Sequence, residues 1–245
     1  LLNGKIETAL IQSKNLGASF LIAPEGTLIV NSSKISPAPI KFLTGGFRFI
    51  DGSQRSSILF FDIGDEIYSN AIDKYRLVPL GEWIPSFSNF LQKGLSAVGG
   101  LTAGSPSRLF EWEGPPFSGV ICYELSDGTL IVDAVSKGAQ WVLSIANLDP
   151  YPEILQRQFL SIAQLRSIET ARDVISVANT GPTSLIRSSG KVEEVLQPFQ
   201  EEIGLVDLNL HQRRTFYSLF KEFPLGLIFS VSFFWTLLVS RSARE

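Results

Sequence analysis

Short apolar runs separated by turn residues dominate the first two hundred positions. Ser19–Ala23, Ile58–Ile63, Gly119–Tyr123, Trp141–Ala146 and Val174–Ala178 are each five or six residues long. Runs of that length predict strands buried on both faces. The first stops at Pro24 and the second at Gly64-Asp65. Leu185–Val195 holds a Ser-Ser-Gly turn between two strand-like arms and predicts a hairpin. Helical spacing shows most clearly over Glu153–Arg172, where Leu155, Phe159, Ile162, Leu165 and Ile168 recur every three or four residues. Leu130–Lys137 is of helix length. The opening residues also read as helix, with Ile6, Leu10 and Ile11 apolar and Lys5, Glu7 and Lys14 polar. Strands alternating with helices and hairpins predict one layered α/β domain over residues 1–208.

The pattern changes near the end. Phe223–Val239 is an uncharged run of about 17 residues, at the lower limit for a membrane span. Arg213, Arg214 and Lys221 precede it; Arg241 and Arg244 follow it. The expectation is a linker over 209–222 and one transmembrane helix over 223–240, against the alternative of a buried C-terminal helix. Both flanks are basic, so loop charge gives no orientation.

Composition narrows the possibilities. The chain has 245 residues, 44% hydrophobic, with a formal net charge of -3 and no basic block, so nothing points to nucleic acid. One cysteine rules out an internal disulfide framework, leaving Cys122 as either inert core or a special thiol. The one histidine, His211, lies beside Gln212 and two arginines and reads as a solvated surface residue. There is no methionine, and the chain opens inside a helical pattern; upstream sequence, including a first strand of the sandwich, is expected to be missing. No secretory signal opens the chain.

Glu25 and Cys122 each fall at the C-terminal end of a predicted buried strand, the edge where layered α/β sheets bind ligands. Lys74 falls in a loop. A carboxylate, an ammonium and a thiol meeting at one edge would divide the labour simply. Glu25 would accept the thiol proton, Lys74 would favour the thiolate and then an oxyanion, and Cys122 would attack a carbonyl to form a thioester. Each residue also has a plain alternative: Cys122 as core filling, Glu25 and Lys74 as solvated charges. Composition and periodicity go no further than a thiol site in an α/β domain.

The words around these residues add more. Ala23-Pro24-Glu25, Lys74 and Cys122 resemble the Glu-Lys-Cys triad of the nitrilase (carbon–nitrogen hydrolase) superfamily. Lys74 followed by Leu77-Val78-Pro79-Leu80-Gly81-Glu82 resembles a signature of the apolipoprotein N-acyltransferase family, as do Ile121-Cys122-Tyr123-Glu124, Arg166-Ser167-Ile168-Glu169-Thr170-Ala171-Arg172 and Asn179-Thr180-Gly181. The chain departs from that pattern at Gly26, at Tyr75-Arg76 and over Ala146–Pro150.

The resemblance implies a four-layer α-β-β-α sandwich followed by a membrane helix. Glu25 would be the base, Lys74 the oxyanion and thiolate stabiliser, and Cys122 the nucleophile. Glu82 would be a supporting carboxylate and the Tyr123 N–H part of an oxyanion hole. Glu124 is either a functional residue or the structural partner of a nearby arginine, and Arg166, Glu169 and Arg172 read as a salt-bridged helix face.

The implied reaction moves a fatty acyl group from a membrane phospholipid, through a Cys122 thioester, to the α-amino group of a diacylglyceryl-modified apolipoprotein. It needs no metal or organic cofactor. It would take place on the extracytoplasmic face of a bacterial inner membrane. Two other readings stay open: an amidase acting on a small amide, and a non-catalytic remnant.

Overall fold

The computed structural model describes residues 2–28, 34–79, 81–83 and 100–242. Leu80 and Arg244, part of the motif and flank noted above, lie outside them.

Two sheets stack between helices. One has four strands in the order β1-β2-β3-β4: β1 Phe20–Leu28, β2 Lys41–Ile50, β3 Ser53–Phe61 and β4 Asn70–Asp73. The other has six, in the order β10-β9-β8-β7-β6-β5. These are β5 Leu109–Trp112, β6 Gly114–Ile121, β7 Trp141–Ala146, β8 Val174–Ala178, β9 Thr183–Ile186 and β10 Val192–Leu196. Helix α1 (Leu2–Asn15) covers the outer face of the first sheet; α2 (Gly128–Ser136) and α3 (Glu153–Thr170) cover the outer face of the second.

Side-chain alternation builds the layers. Ile58 and Phe60 of β3 point into the space between the sheets with Leu143, Ile145 and Trp141, while Leu59 and Phe61 point toward α1 with Leu10 and Phe42. On the second sheet Val120, Val142 and Val174 pack against Ile131, Ala134 and Ala163 of the outer helices. Every central strand thus buries both faces, which is why these segments read as unbroken apolar runs. The α-β-β-α sandwich expected from the sequence is present.

Strands β7 and β8 and the 185–195 hairpin fall where the sequence places them. Helix α3 ends at Thr170 because Ala171 takes a left-handed conformation, φ 49°. Strand β1 does not stop at Pro24 but continues to Leu28, its pairing with β2 interrupted between Ala23 and Leu28. A proline without an N–H is tolerated there, on an edge strand at an irregularity. Gly45 of β2 lets the two backbones close up: a Cβ at that position would lie 2.3 Å from the Glu25 Cα. Gly45→Ala is therefore expected to push β1 away, at a cost of about 1–3 kcal/mol in stability. A melting temperature unchanged by circular dichroism would show that β1 shifts freely.

The C-terminal expectation needs correcting. The apolar run forms a helix, α5 (Phe223–Ser242), after the short α4 (Phe216–Phe220). Yet no helix among the described residues is long and apolar enough to cross a membrane. The uncharged stretch rises only ~26 Å at ~1.5 Å per residue, against a hydrocarbon core of ~30 Å. Polar Ser230 and Thr236 interrupt it, their hydroxyls donating to Gly226 O and Ser232 O one turn back. The alternative of a buried helix does not hold either, since Phe223, Ile228, Phe229, Phe234 and Trp235 are exposed.

Candidate active site

Three polar side chains converge where the ends of the two sheets meet. Glu25 lies within β1, and its carboxylate is almost fully buried. Oε1 accepts from Lys74 Nζ at 3.1 Å and Ser56 Oγ at 3.4 Å; Oε2 accepts from the backbone N–H of Asn147 at 2.9 Å, just past β7. Lys74 directly follows β4 and is 1% exposed. Its backbone is held on both sides, N–H donating to Ser56 O and the carbonyl accepting from Gly104 N, each at 2.8 Å. Its ammonium also reaches Glu82 Oε1 at 2.6 Å, while Glu82 Oε2 accepts from Val78 N at 2.9 Å. One buried cation thus bridges two carboxylates, an arrangement that satisfies both its charge and its hydrogen bonds.

Cys122 sits at the sharp junction between β6 and a short 3-10 turn, Cys122–Ser126, with φ 51°. The strand predicted over Gly119–Tyr123 therefore ends one residue before the thiol, and the turn aims Cys122 into the gap between the sheets, where it is 5% exposed. Tyr123 is exposed. Glu124 is fully buried and pairs with Arg108, the partner left open by the sequence.

The charges act on one another. Burial pushes the Cys122 thiol up to about 12, helped by the Glu25 and Glu82 charges and opposed by Lys74 and the Tyr123 N–H. For Lys74, burial acts to lower the pKa, but the charges of Glu25 and Glu82, joined by Cys122 once it ionises, outweigh it and hold the ammonium well above its usual value. The site at rest thus contains a neutral thiol and a firmly protonated amine. A neutral thiol needs a base before it can attack, and an ammonium beside it can stabilise developing negative charge.

This makes alkali sensitivity testable. Above pH 9 the unfolded thiol ionises while the folded one stays protonated until about 12, so folding stability falls across that window. Cys122→Ala removes this term. Its alkaline unfolding midpoint should move to higher pH than that of the parent protein; coincident midpoints would count against a perturbed thiol.

Other expectations fare variously in the structure. Arg166 and Glu169 pair at 2.8 Å, but Arg172 instead donates to the carbonyls of Ala139, Thr170, Ala171 and Arg213. His211 is not simply solvated: its Nε2 lies 3.1 Å from buried Asp173 Oδ1. Three residues that hold the site escaped the sequence reading: Ser56, Asn147 and Arg108. Asn147 belongs to a small amide pair, Asn179 Nδ2 donating to its Oδ1 at 2.7 Å and Asn179 Oδ1 accepting from Leu148 N at 2.9 Å.

No family model matches the chain. It is 53% identical over 220 residues to an apolipoprotein N-acyltransferase of Prochlorococcus marinus, across 90% of this chain and 44% of the relative. It is 48% identical over 214 residues to one from Parasynechococcus marenigrum, across 87% of this chain and 46% of that relative. The chain thus spans less than half the length of these curated relatives. Among solved structures, a glutamine-dependent NAD+ synthetase from Acinetobacter baumannii superposes with a TM-score of 0.61 at 15% identity, over 82% of this chain and 41% of that one. An amidase from Nesterenkonia sp. AN1 gives 0.57 at 14%, over 79% and 82%. At such identities the structures establish the sandwich alone. With half of the positions shared with the curated relatives over nine-tenths of its length, the chain is closely related to the apolipoprotein N-acyltransferase family.

Proposed function

We propose that this chain performs the acyl-transfer chemistry of an apolipoprotein N-acyltransferase, with Glu25, Lys74 and Cys122 as its reacting residues. The observation that carries the chemistry is the buried ammonium of Lys74 held between Glu25 and Glu82 beside the chain's one thiol. The similarity to acyltransferases over 90% of the chain favours lipid substrates over a small amide.

In the first half-reaction Glu25 takes the Cys122 proton as the sulfur attacks an ester carbonyl of a phospholipid. Lys74 and the Tyr123 N–H stabilise the oxyanion. Collapse expels a lysophospholipid alkoxide, which recovers the proton from Glu25 and leaves an acyl thioester. In the second, the α-amino group of a diacylglyceryl-cysteine attacks the thioester, Glu25 accepts its proton, and the departing thiolate takes that proton back. The products are an amide and the free thiol. Glu82 keeps Lys74 in place. The domain would meet these lipid-anchored substrates at the extracytoplasmic face of a bacterial membrane.

Intact mass spectrometry of the protein mixed with phospholipid in detergent tests this reading. The expected result is a gain of one fatty acyl group, discharged by a diacylglyceryl-cysteine peptide. No acyl adduct, together with labelling of Cys122 by a small amide, would replace the reading with an amidase.

A further inference from the structure

Lys74 and Cys122 come from different sheets, at the ends of β4 and β6. Packing between two sheets alone leaves their relative position free to slide. Glu25 of β1 already reaches across to Asn147 N beyond β7, and a second carboxylate ties the Lys74 loop to the Cys122 strand directly. Glu124 Oε1 accepts from the backbone N–H of Tyr75 at 2.6 Å and of Arg76 at 3.1 Å, the two residues after Lys74. Its Oε2 accepts from the N–H of Ile121 at 2.9 Å, the residue before Cys122. The loop bearing the ammonium and the strand bearing the thiol therefore hang from the same side chain.

A fully buried carboxylate holds its charge only beside a compensating cation. Arg108 supplies it, Nη1 lying 3.0 and 3.1 Å from the two oxygens of Glu124. Its side chain is fully buried too. Its other donors close the turn before β5, Nη2 to Ser105 O and Nε to Ser107 O at 3.0 Å. That turn reaches Lys74 as well, since Gly104 N donates to the Lys74 carbonyl at 2.8 Å. Gly104 also packs against Asp73 so closely that a Cβ would fall 2.4 Å from the Asp73 Cβ. On the other side, Gly119 N donates to Arg108 O at 2.8 Å, tying the same residue to β6.

We propose that Arg108 is a positioning residue: through Glu124 and the 104–108 turn it fixes the spacing between Lys74 and Cys122. Arg108 touches no reacting atom. It acts by pairing with Glu124 and orienting it, so that one carboxylate can grip three backbone N–H groups at once. A reoriented Glu124 would release one loop or the other, and displacements of about 1 Å at a reacting centre can cost about 100-fold in rate. The inference rests on the acyl-transfer reading for its kinetic readout, but not for its geometry.

The test compares Arg108→Gln and Arg108→Lys with the parent, each rate normalised to folded protein by near-ultraviolet circular dichroism. For Arg108→Gln, thioester formation at saturating phospholipid should fall about 100-fold, with the half-saturating lipid concentration within about twofold of the parent. Arg108→Lys, which keeps the charge but not the fork, should recover at least about tenfold of that loss. If Arg108→Gln proves unfolded, Arg108→Met combined with Glu124→Gln removes both buried charges and should fold; it should show the same fall in rate. A loss that only tracks the folded fraction, or a lysine variant no better than glutamine, overturns the proposal. If the parent forms no acyl adduct, it is the function that fails, and Cys122 alkylation by iodoacetamide decides the positioning claim instead. A rise of at least about threefold per folded molecule in Arg108→Gln supports the claim, and an unchanged rate rejects it.

Discussion

Cys122→Ala should abolish the acyl adduct and lower acyl transfer by at least ~10⁴-fold while leaving the sandwich folded. The size of the effect follows from the proposed chemistry, in which removing the covalent nucleophile leaves only binding and oxyanion stabilisation. Retention of the fold follows from the site. The deletion is one buried sulfur, a small cavity beside Ile121, Ile145 and Leu148. Alanine inherits the same positive φ of 51° without adding a branch at Cβ. Serine gives a separate check, since its hydroxyl keeps the volume but is a far weaker nucleophile in this setting. Acyl transfer surviving in the alanine variant would remove Cys122 from the mechanism, and loss of the native near-ultraviolet spectrum would reassign the residue to the core.

Lys74→Met is expected to be the most destabilising single change at the site, on the order of 3–5 kcal/mol, and inactive as well. Methionine fills the volume but leaves Glu25 and Glu82 facing each other without the cation that bridged them at 3.1 and 2.6 Å. Glu25 is almost fully buried; Glu82 is partly exposed and will recover some hydration. The pH dependence reveals the cause. Two like charges deprived of their partner bind protons more readily in the folded state than in the unfolded one. Carboxyl groups raised in this way favour folding at low pH and disfavour it as the pH rises. The stability deficit of Lys74→Met should therefore be largest near neutrality and shrink below about pH 5. Thermal melts of both proteins between pH 4.5 and 7.5 measure this, and a deficit constant across the range would point to lost packing instead. In the parent, the raised pKa of Lys74 acts in the opposite window: its contribution is complete at neutral pH and is lost only as alkali titrates the folded ammonium.

Much of the fold was legible because buried strands leave local traces. Trp141–Ala146 and Val174–Ala178 are central strands whose neighbours on both faces are apolar, so the run and the strand coincide. The β2–β3 hairpin was harder. Gly45, Gly46 and Arg48 dilute the first arm, and Ser53, Ser56 and Ser57 the second. The turn itself carried the signal: Asp51-Gly52, with φ 50° and 76°, is the Asp-Gly pair that two-residue hairpins favour. Glu25, Lys74, Glu82 and Cys122 could be picked out because each sits in a distinctive local word. Asn147 and Arg108 could not, because what they do depends on contacts across the chain. Asn147 meets Glu25 over a separation of 122 residues, and Arg108 meets Glu124 across the whole β5–β6 hairpin. The charge-free run near the end correctly marked a helix, but lack of charge alone did not measure its length or its interruption by serine and threonine.

The left-handed backbone at Cys122 bears on any effort to make this protein more robust. A side chain other than glycine costs on the order of 1–3 kcal/mol in that conformation. Glycine at position 122 would relieve that strain and, in the same stroke, delete the thiol. Under the proposed mechanism, a screen that ranks variants by heat resistance alone would reward an inactive protein. Directed evolution of this scaffold for the proposed activity therefore has to hold position 122 fixed and look for stability elsewhere.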